Sequence, residues 1–159
     1  MTAAAKIETM IGKEVVVTRI IDAPRARVFD AWVKPEKLAQ WWGPNGFTNP
    51  RCEIDPRPGG RIYIEMIRVS DGKMFPLDGE VEAVEAPSRI VMRARGYNPA
   101  NDETTIEDRV TATFTEQDGK TLVTVHLYVL DVAPAFAEAA QRMDIGWSQS
   151  LERCERTIK

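Results

Sequence analysis

The 159-residue sequence has only two cysteines, Cys52 and Cys154, which lie in opposite halves of the chain. Small secreted proteins that depend on disulfides contain more cysteines than this, so we expect both thiols to be free and buried. With a single histidine and two distant cysteines, the sequence also lacks the ligand spacing of a zinc site. We therefore expect no metal and no cofactor.

Long hydrophobic runs are also missing. No apolar segment approaches the ~20 residues that a membrane-spanning helix requires. Residues 1–14 lack the apolar stretch that is typical of a signal peptide. The formal charge is −3, which argues against the basic surface of a nucleic-acid-binding protein. We expect a cytoplasmic protein with no membrane insertion and no nucleic-acid partner.

The sequence contains no complete catalytic motif. Residues 146–150 resemble a nucleophile elbow, but the motif ends in serine and falls inside a predicted helix. Gly72-Lys73 and Gly119-Lys120 occur in predicted hairpin turns, without the remaining spacing of a phosphate-binding loop. No set of residues forms a full catalytic constellation, so the sequence does not predict enzymatic activity.

What the sequence does contain is the composition of one folded domain, with 43% hydrophobic and 28% charged residues. Residues 1–13 are predicted to form a flexible tail, and residues 14–159 a single domain. Glu14–Ile21 is rich in valine and isoleucine, which predicts a strand. Two short helices are predicted at 24–33 and 35–42, with Asp22 as the expected cap of the first.

The middle of the chain alternates between apolar and polar residues, which is typical of strands with one buried face. Most of the connections between these strands have hairpin signals, so we expect an antiparallel sheet. The predicted strands cover residues 51–55, 61–69, 74–84, 89–95, 106–115 and 121–130.

The last part of the chain changes to helical spacing. From residue 133 to 158 the apolar residues recur three or four positions apart, which predicts one long amphipathic helix with Asp131 as its cap. Strands and helices are therefore segregated along the chain, which indicates an α+β fold. The long helix is expected to cover the apolar face of the sheet.

Several short motifs occur in a consistent order: Asp22-Ala-Pro24, Trp41-Trp-Gly-Pro44, Pro58-Gly-Gly60 and Gly146-Trp147. Together they resemble the activator of 90-kDa heat-shock-protein ATPase homologue (AHSA-like) family of the START-like superfamily, also called SRPBCC. The resemblance implies the helix-grip fold, START-like and Bet v-like. In that fold a curved antiparallel sheet wraps around a long C-terminal helix, and two short helices lie between the first two strands.

The resemblance also implies a cavity between sheet and helix for a small hydrophobic molecule. Trp32, Trp41 and Trp42 form either a structural lid or an aromatic wall of this cavity. The inner side of the long helix belongs either to an ordinary core or to the cavity, where methionines would give an adaptable surface. The residues predicted to line the cavity are Trp42, Phe47, Ile64, Met66, Arg68, Phe75, Asp108, Phe114, Phe136, Met143 and Trp147.

Asp108 is the most informative polar residue, because it is in phase with the apolar residues of its strand. An unpaired carboxylate is costly to bury, so Asp108 needs a partner, water or a raised pKa. Arg68 is in phase with the apolar side of its own strand and is the candidate partner. Alternatively, both residues lie at strand ends in solvent. In a cavity, Asp108 would act as a polar anchor for the ligand or as a general acid or base.

The amphipathic helix over an alternating sheet, together with the family resemblance, favours a protein that binds a small hydrophobic ligand and is non-catalytic or of unknown activity. One alternative is a cyclase- or hydrolase-type enzyme that uses Asp108. The family resemblance adds a second alternative, a co-chaperone of the heat-shock ATPase with a role in the stress response. Tyr63, Val91 and Leu122, predicted on the outer face of the sheet, could support a homodimer. His126 is predicted to face away from the helix.

Overall fold

The sheet determines the shape of the molecule. The computed structural model describes residues 10–158, and its seven strands form one curved antiparallel sheet in the order β1-β7-β6-β5-β4-β3-β2. Hairpins join the consecutive strands from β2 to β7. Between β1 and β2 the chain crosses to the opposite edge of the sheet, and β1 pairs with β7. The strands are β1 (Glu14–Ile21), β2 (Phe47–Ile54), β3 (Arg61–Arg68), β4 (Met74–Glu85), β5 (Arg89–Tyr97), β6 (Thr104–Gln117) and β7 (Lys120–Val132).

Two short helices, α1 (Arg25–Val33) and α2 (Pro35–Leu38), occupy the crossing from β1 to β2. Val28 and Phe29 precede Trp32 on α1 by four and three residues, and all three side chains are buried. The expectation that Asp22 caps α1 is wrong, because Pro24 is the N-cap residue and no side chain bonds the first turn. The backbone N–H of Asp22 instead donates to the Glu155 carboxylate, at 3.3 Å.

The C-terminal region is helical, but it is not one continuous helix as the spacing predicts. A 3-10 turn (Pro134–Phe136) leads into α3 (Ala137–Gln141) and then into the long helix α4 (Met143–Ile158). Arg142 breaks the helix, with φ −109° and ψ 18°. Asp131 does not cap it, since Asp131 lies in β7, where its carboxylate accepts a hydrogen bond from the Val132 N–H.

The main core lies between the inner face of the sheet, α1 and α4. A second, smaller cluster joins Met10 to Val129, Val132 and Ala140. Residues 10–13, which the sequence places in the tail, therefore pack against the fold, and the Gly12 N–H donates to the Val129 carbonyl at 2.8 Å. The other predicted tail residues, 1–9, lie outside the described part of the chain.

The outer face of the sheet differs from the expectation at two positions. Tyr63 and Val91 were predicted to be accessible there but are only 8% and 5% exposed. The guanidinium groups of Arg51 and Arg61 lie over the Tyr63 ring, at 4.8 and 4.9 Å from its centroid. Two of the three residues on which the homodimer expectation depends are thus covered. His126 does face outward, 2.9 Å from the Glu14 carboxylate.

Within residues 10–158, no helix is both long enough and apolar enough to cross a bilayer.

Candidate functional site

An aromatic cluster connects the two short helices to α4. Trp32 of α1 stacks on Trp147 of α4, with ring centroids 5.8 Å apart, and also contacts Phe114 of β6 at 5.6 Å. Trp42 meets the Trp147 ring edge-on at 5.2 Å. Trp32 and Trp41 are completely buried, whereas Trp147 keeps part of its surface accessible. The first two rings are therefore structural, and Trp147 is the ring that a bound molecule could reach.

Arg153 of α4 binds the backbone of residues 42–47, which we call the 42–47 loop. Its guanidinium donates hydrogen bonds to the carbonyl oxygens of Gly43 (2.7 Å), Pro44 (3.0 Å) and Phe47 (3.0 Å). A fourth carbonyl, that of Trp42, lies at 3.3 Å. Partial burial lowers the pKa of Arg153 from its ordinary value. The sequence gives no sign of this role, because the charged residues next to Arg153 are typical of a solvated helix face.

Several apolar side chains point inward yet are only partly buried, and we call them the apolar rim. They are Phe47, Met66, Phe75, Met143 and Trp147. Phe47 and Phe75 meet edge-on at 5.8 Å, and Met66 pairs with Phe75 across β3 and β4. Gly43 allows close approach here, because a Cβ at this position would lie 2.8 Å from the Met66 Cε. Part of the apolar surface on the inner face therefore remains accessible to solvent at the rim.

Asp108 lies on the inner face of β6 and is only 8% exposed. Its cross-strand neighbours are Ala94 on β5 and Val129 on β7, neither of which has a polar side chain. No hydrogen bond or ion pair joins Asp108 to another residue in the 10–158 range. Burial, followed by the nearby charge of Glu107, raises the pKa of Asp108 to about 7. Asp108 is thus a buried carboxyl group without a protein partner.

The predicted pairing of Asp108 with Arg68 is wrong. Arg68 is at the end of β3, and its guanidinium forms two bonds to the Asp71 carboxylate, at 2.6 and 3.0 Å. It also lies over the Phe75 ring, 5.1 Å from the centroid. Two strands, β4 and β5, separate β3 from β6. A nearby acid in the same turn therefore binds Arg68, which is partly exposed and remote from Asp108.

The inner surface beside Asp108 has little side-chain volume. Ala94 is its direct neighbour on β5, and Ala94 in turn pairs with Gly79 on β4. Gly96, two residues beyond Ala94, also lies on this face. A Cβ at Gly79 would be 2.0 Å from the Arg93 carbonyl oxygen, so only glycine fits the strand there. Because these residues are small, the inner surface of the sheet beside the carboxyl group has no bulky side chains.

The other predicted site residues are distributed around these features. Ile64 and Phe114 are fully buried in the main core. Phe136 and Met143 are half-buried and pack against the cluster that contains Val129, the neighbour of Asp108. Asp108 and Phe114 are six residues apart on β6, a distance of roughly 20 Å along an extended strand. The site is therefore elongated, with the carboxyl group near one end and the aromatic cluster near the other.

Other polar features of the described residues are less suited to binding. A groove of about 220 Å³ on the outer face is lined by charged residues of both signs. Most of these charges are already paired, as in Arg61 with Asp78 (3.3 Å) and Arg93 with Glu80 (3.6 Å). Cys52 and Cys154 are free thiols, and burial raises their pKa values to about 11 and 12. Such thiols are poor nucleophiles.

Replacing Arg153 by methionine tests the role of its hydrogen bonds. The Gly43, Pro44 and Phe47 carbonyls would lose their donor, and we expect the free energy of unfolding to fall by about 3 kcal/mol. Urea denaturation measures this loss. Arg156→Met is the matched control in the same helix, because Arg156 is exposed and pairs only with Glu152. We expect the control to change stability by less than about 0.5 kcal/mol. Equal effects of the two substitutions would contradict the proposed role.

The pKa of Asp108 predicts how stability depends on pH. Because its folded-state pKa of about 7 lies above the ordinary value of 3.8, ionisation opposes folding. The native state should therefore lose up to about 4 kcal/mol as the pH rises from 4 through 7. Asp108→Asn removes this loss, so its stability advantage over the native protein should grow across that range. Urea denaturation at pH 4.5 to 8.5 measures it.

The control for this experiment is Asp118→Asn, in the exposed turn between β6 and β7. Its profile should run parallel to that of the native protein. If Asp108→Asn also gave a parallel profile, the carboxyl group would not be buried and unpaired as described.

Comparisons with known proteins agree with the geometry of the fold. A family model described as "Activator of Hsp90 ATPase homolog 1-like protein" matches residues 22–159. A solution structure from Arthrobacter aurescens has a TM-score of 0.78 at 18% identity and covers 92% of this chain and 86% of its own. The AHSA1 protein from Silicibacter pomeroyi has a TM-score of 0.73 at 24% identity, with coverages of 91% and 96%.

A crystal structure from Mycobacterium smegmatis gives a TM-score of 0.71 at 26% identity, with coverages of 92% and 88%. A search of curated protein sequences finds no match.

Proposed function

This chain belongs to the activator of Hsp90 ATPase homolog 1-like family, and from that premise we propose that it binds a small hydrophobic molecule between the inner face of the sheet and α4. The observation that carries the proposal is the apolar rim. Inward-facing Phe47, Met66, Phe75, Met143 and Trp147 stay partly accessible although they point toward the core. Apolar surface in a concave position gains free energy when a ligand removes it from water.

The composition of the rim supports a ligand rather than an ordinary core. Two of its five residues are methionines, whose flexible thioether side chains adapt to ligands of different shape. The other three are aromatic and provide large apolar faces. The rim is also firmly supported, because Arg153 fixes Phe47 through its carbonyl oxygen, and Trp147 stacks on the buried Trp32. A preorganised surface of this kind loses less entropy on binding.

A neutral fluorescent probe, N-phenyl-1-naphthylamine, tests the proposal. Met143→Trp places an indole ring in the rim, and we expect the probe to bind at least ten-fold more weakly because the space is filled. Ile145→Trp is the matched control, since Ile145 is two residues away on α4 and 45% exposed. It should bind like the native protein. Fluorescence titration gives the affinities, and melting curves verify that both variants fold.

Two outcomes would contradict binding at this site: no probe binding to the native protein, or equal weakening by both substitutions.

Catalysis is the second candidate function, and the state of Asp108 favours it. A buried carboxyl group that titrates near neutral pH suits a general acid or base in a cyclase or hydrolase. Within residues 10–158, however, no nucleophile or second ionisable group is bonded to it. Turnover of p-nitrophenyl butyrate that disappears in Asp108→Asn would support a hydrolase. Equal rates for both proteins would argue against it.

The printed description of the family supports a third candidate, a co-chaperone that stimulates the Hsp90 ATPase. Its test is the ATPase rate of Hsp90 titrated with this protein. An unchanged rate at saturating concentrations would exclude the role.

A further inference from the structure

We infer that the ligand is an apolar amine, whose protonated nitrogen pairs with Asp108 while its apolar part extends along the inner face toward the apolar rim. The inference rests on the proposed binding function and specifies the chemical class of the ligand. It begins from the position of Asp108, which is buried on the inner wall of the same space and lacks a partner in the described chain.

A buried carboxylate needs a cation or hydrogen-bond donors, because removing its charge from water is costly. Only two basic side chains of the described strands are in phase with the inner face, and both are engaged elsewhere. Arg19 binds Glu155 at 2.8 Å, and Arg68 binds Asp71 at 2.6 Å. These strands therefore leave the carboxylate without a cation, and a bound ligand can supply one.

The shape of the sheet gives a ligand access to the carboxyl group. Ala94, Gly79 and Gly96 lie toward β4 from Asp108 and contribute almost no side-chain volume to the inner face. Phe136 and Met143 pack against the cluster that contains Val129, the neighbour of Asp108 on β7. The polar head of a ligand can lie over the small residues, beside the carboxyl group.

The charges around Asp108 favour a cationic head group over a neutral or anionic one. Glu107 is adjacent in sequence, and Asp131 pairs with Glu107 across β6 and β7. The nearest basic residues, Arg95 and Arg109, are bonded to Asp102 and Glu82. The local field is therefore negative, and it repels a carboxylate ligand. A hydrogen bond between opposite charges is roughly twice as strong as a neutral one, which favours an amine over an alcohol.

The apolar part of the ligand has a matching surface on the same face. Met143 of the apolar rim packs against the main core and also against the cluster that contains Val129, the neighbour of Asp108. An ammonium group paired with Asp108 would have its charge balanced, and its apolar chain would cover the rim.

Three probes with the same ten-carbon chain test the inference: n-decylamine, n-decanol and decanoate. Each is titrated, below its micelle concentration, against the protein loaded with N-phenyl-1-naphthylamine, and displacement gives the affinity. We expect decylamine to bind at least ten-fold more tightly than decanol, and decanoate to bind most weakly. Asp108→Asn should weaken decylamine at least ten-fold and change decanol less than two-fold. The Asp118→Asn control should change neither.

A second variant, Ala94→Leu, keeps the carboxyl group but adds bulk beside it. It should weaken decylamine more than decanol. The amine inference is overturned if decanol or decanoate binds the native protein as tightly as decylamine, or if the amine preference survives in Asp108→Asn. Those results leave the binding function intact. Failure of the fluorescent probe and of all three ligands to bind would instead refute the proposed function.

Discussion

The guanidinium group of Arg153 is the interaction on which the rest of the site depends. It lies at the junction of α4 and the 42–47 loop and donates to three carbonyl oxygens of that loop. Its partial burial is tolerable because its donors meet preorganised acceptors. Through this junction Trp42 stays against Trp147, and Phe47 stays beside Phe75. Without it, the aromatic cluster and the apolar rim would have no common support.

The interior differs between its two ends. Near α1 the buried rings of Trp32, Trp41 and Phe114 pack against one another, and Trp41 donates its N–H to the Ala31 carbonyl. Toward Asp108 the neighbouring side chains of the sheet are small. The helical region is interrupted at Arg142, just before α4 begins. The carboxyl group itself has no partner in the described chain. A fold that serves only stability would pair or replace such a group. The proposed ligand site would give a physical reason to retain it.

The sequence pattern alone predicted the main features of this arrangement. Strict alternation in β6 correctly placed Asp108 on the inner face, and the hairpin signals correctly gave an antiparallel sheet. Pattern could not identify the partner of Arg68, because phase on a strand gives no information about Asp71 in the next turn. It also could not single out Arg153, since the loop carbonyls that bind it are more than 100 residues away in sequence. Tyr63 was missed because arginine side chains from its own strand and from β2 cover it.

The most direct test of a ligand site between sheet and α4 is an NMR titration of protein labelled at its methionine methyl groups. Met66 and Met143 lie in the apolar rim, while Met74 lies on β4 in phase with the outer face, paired with Ile67. With N-phenyl-1-naphthylamine as the ligand, the account predicts saturable shifts of the Met66 and Met143 methyl signals and an unchanged Met74 signal. Shifts confined to Met74, or no shifts at saturating probe, would contradict it.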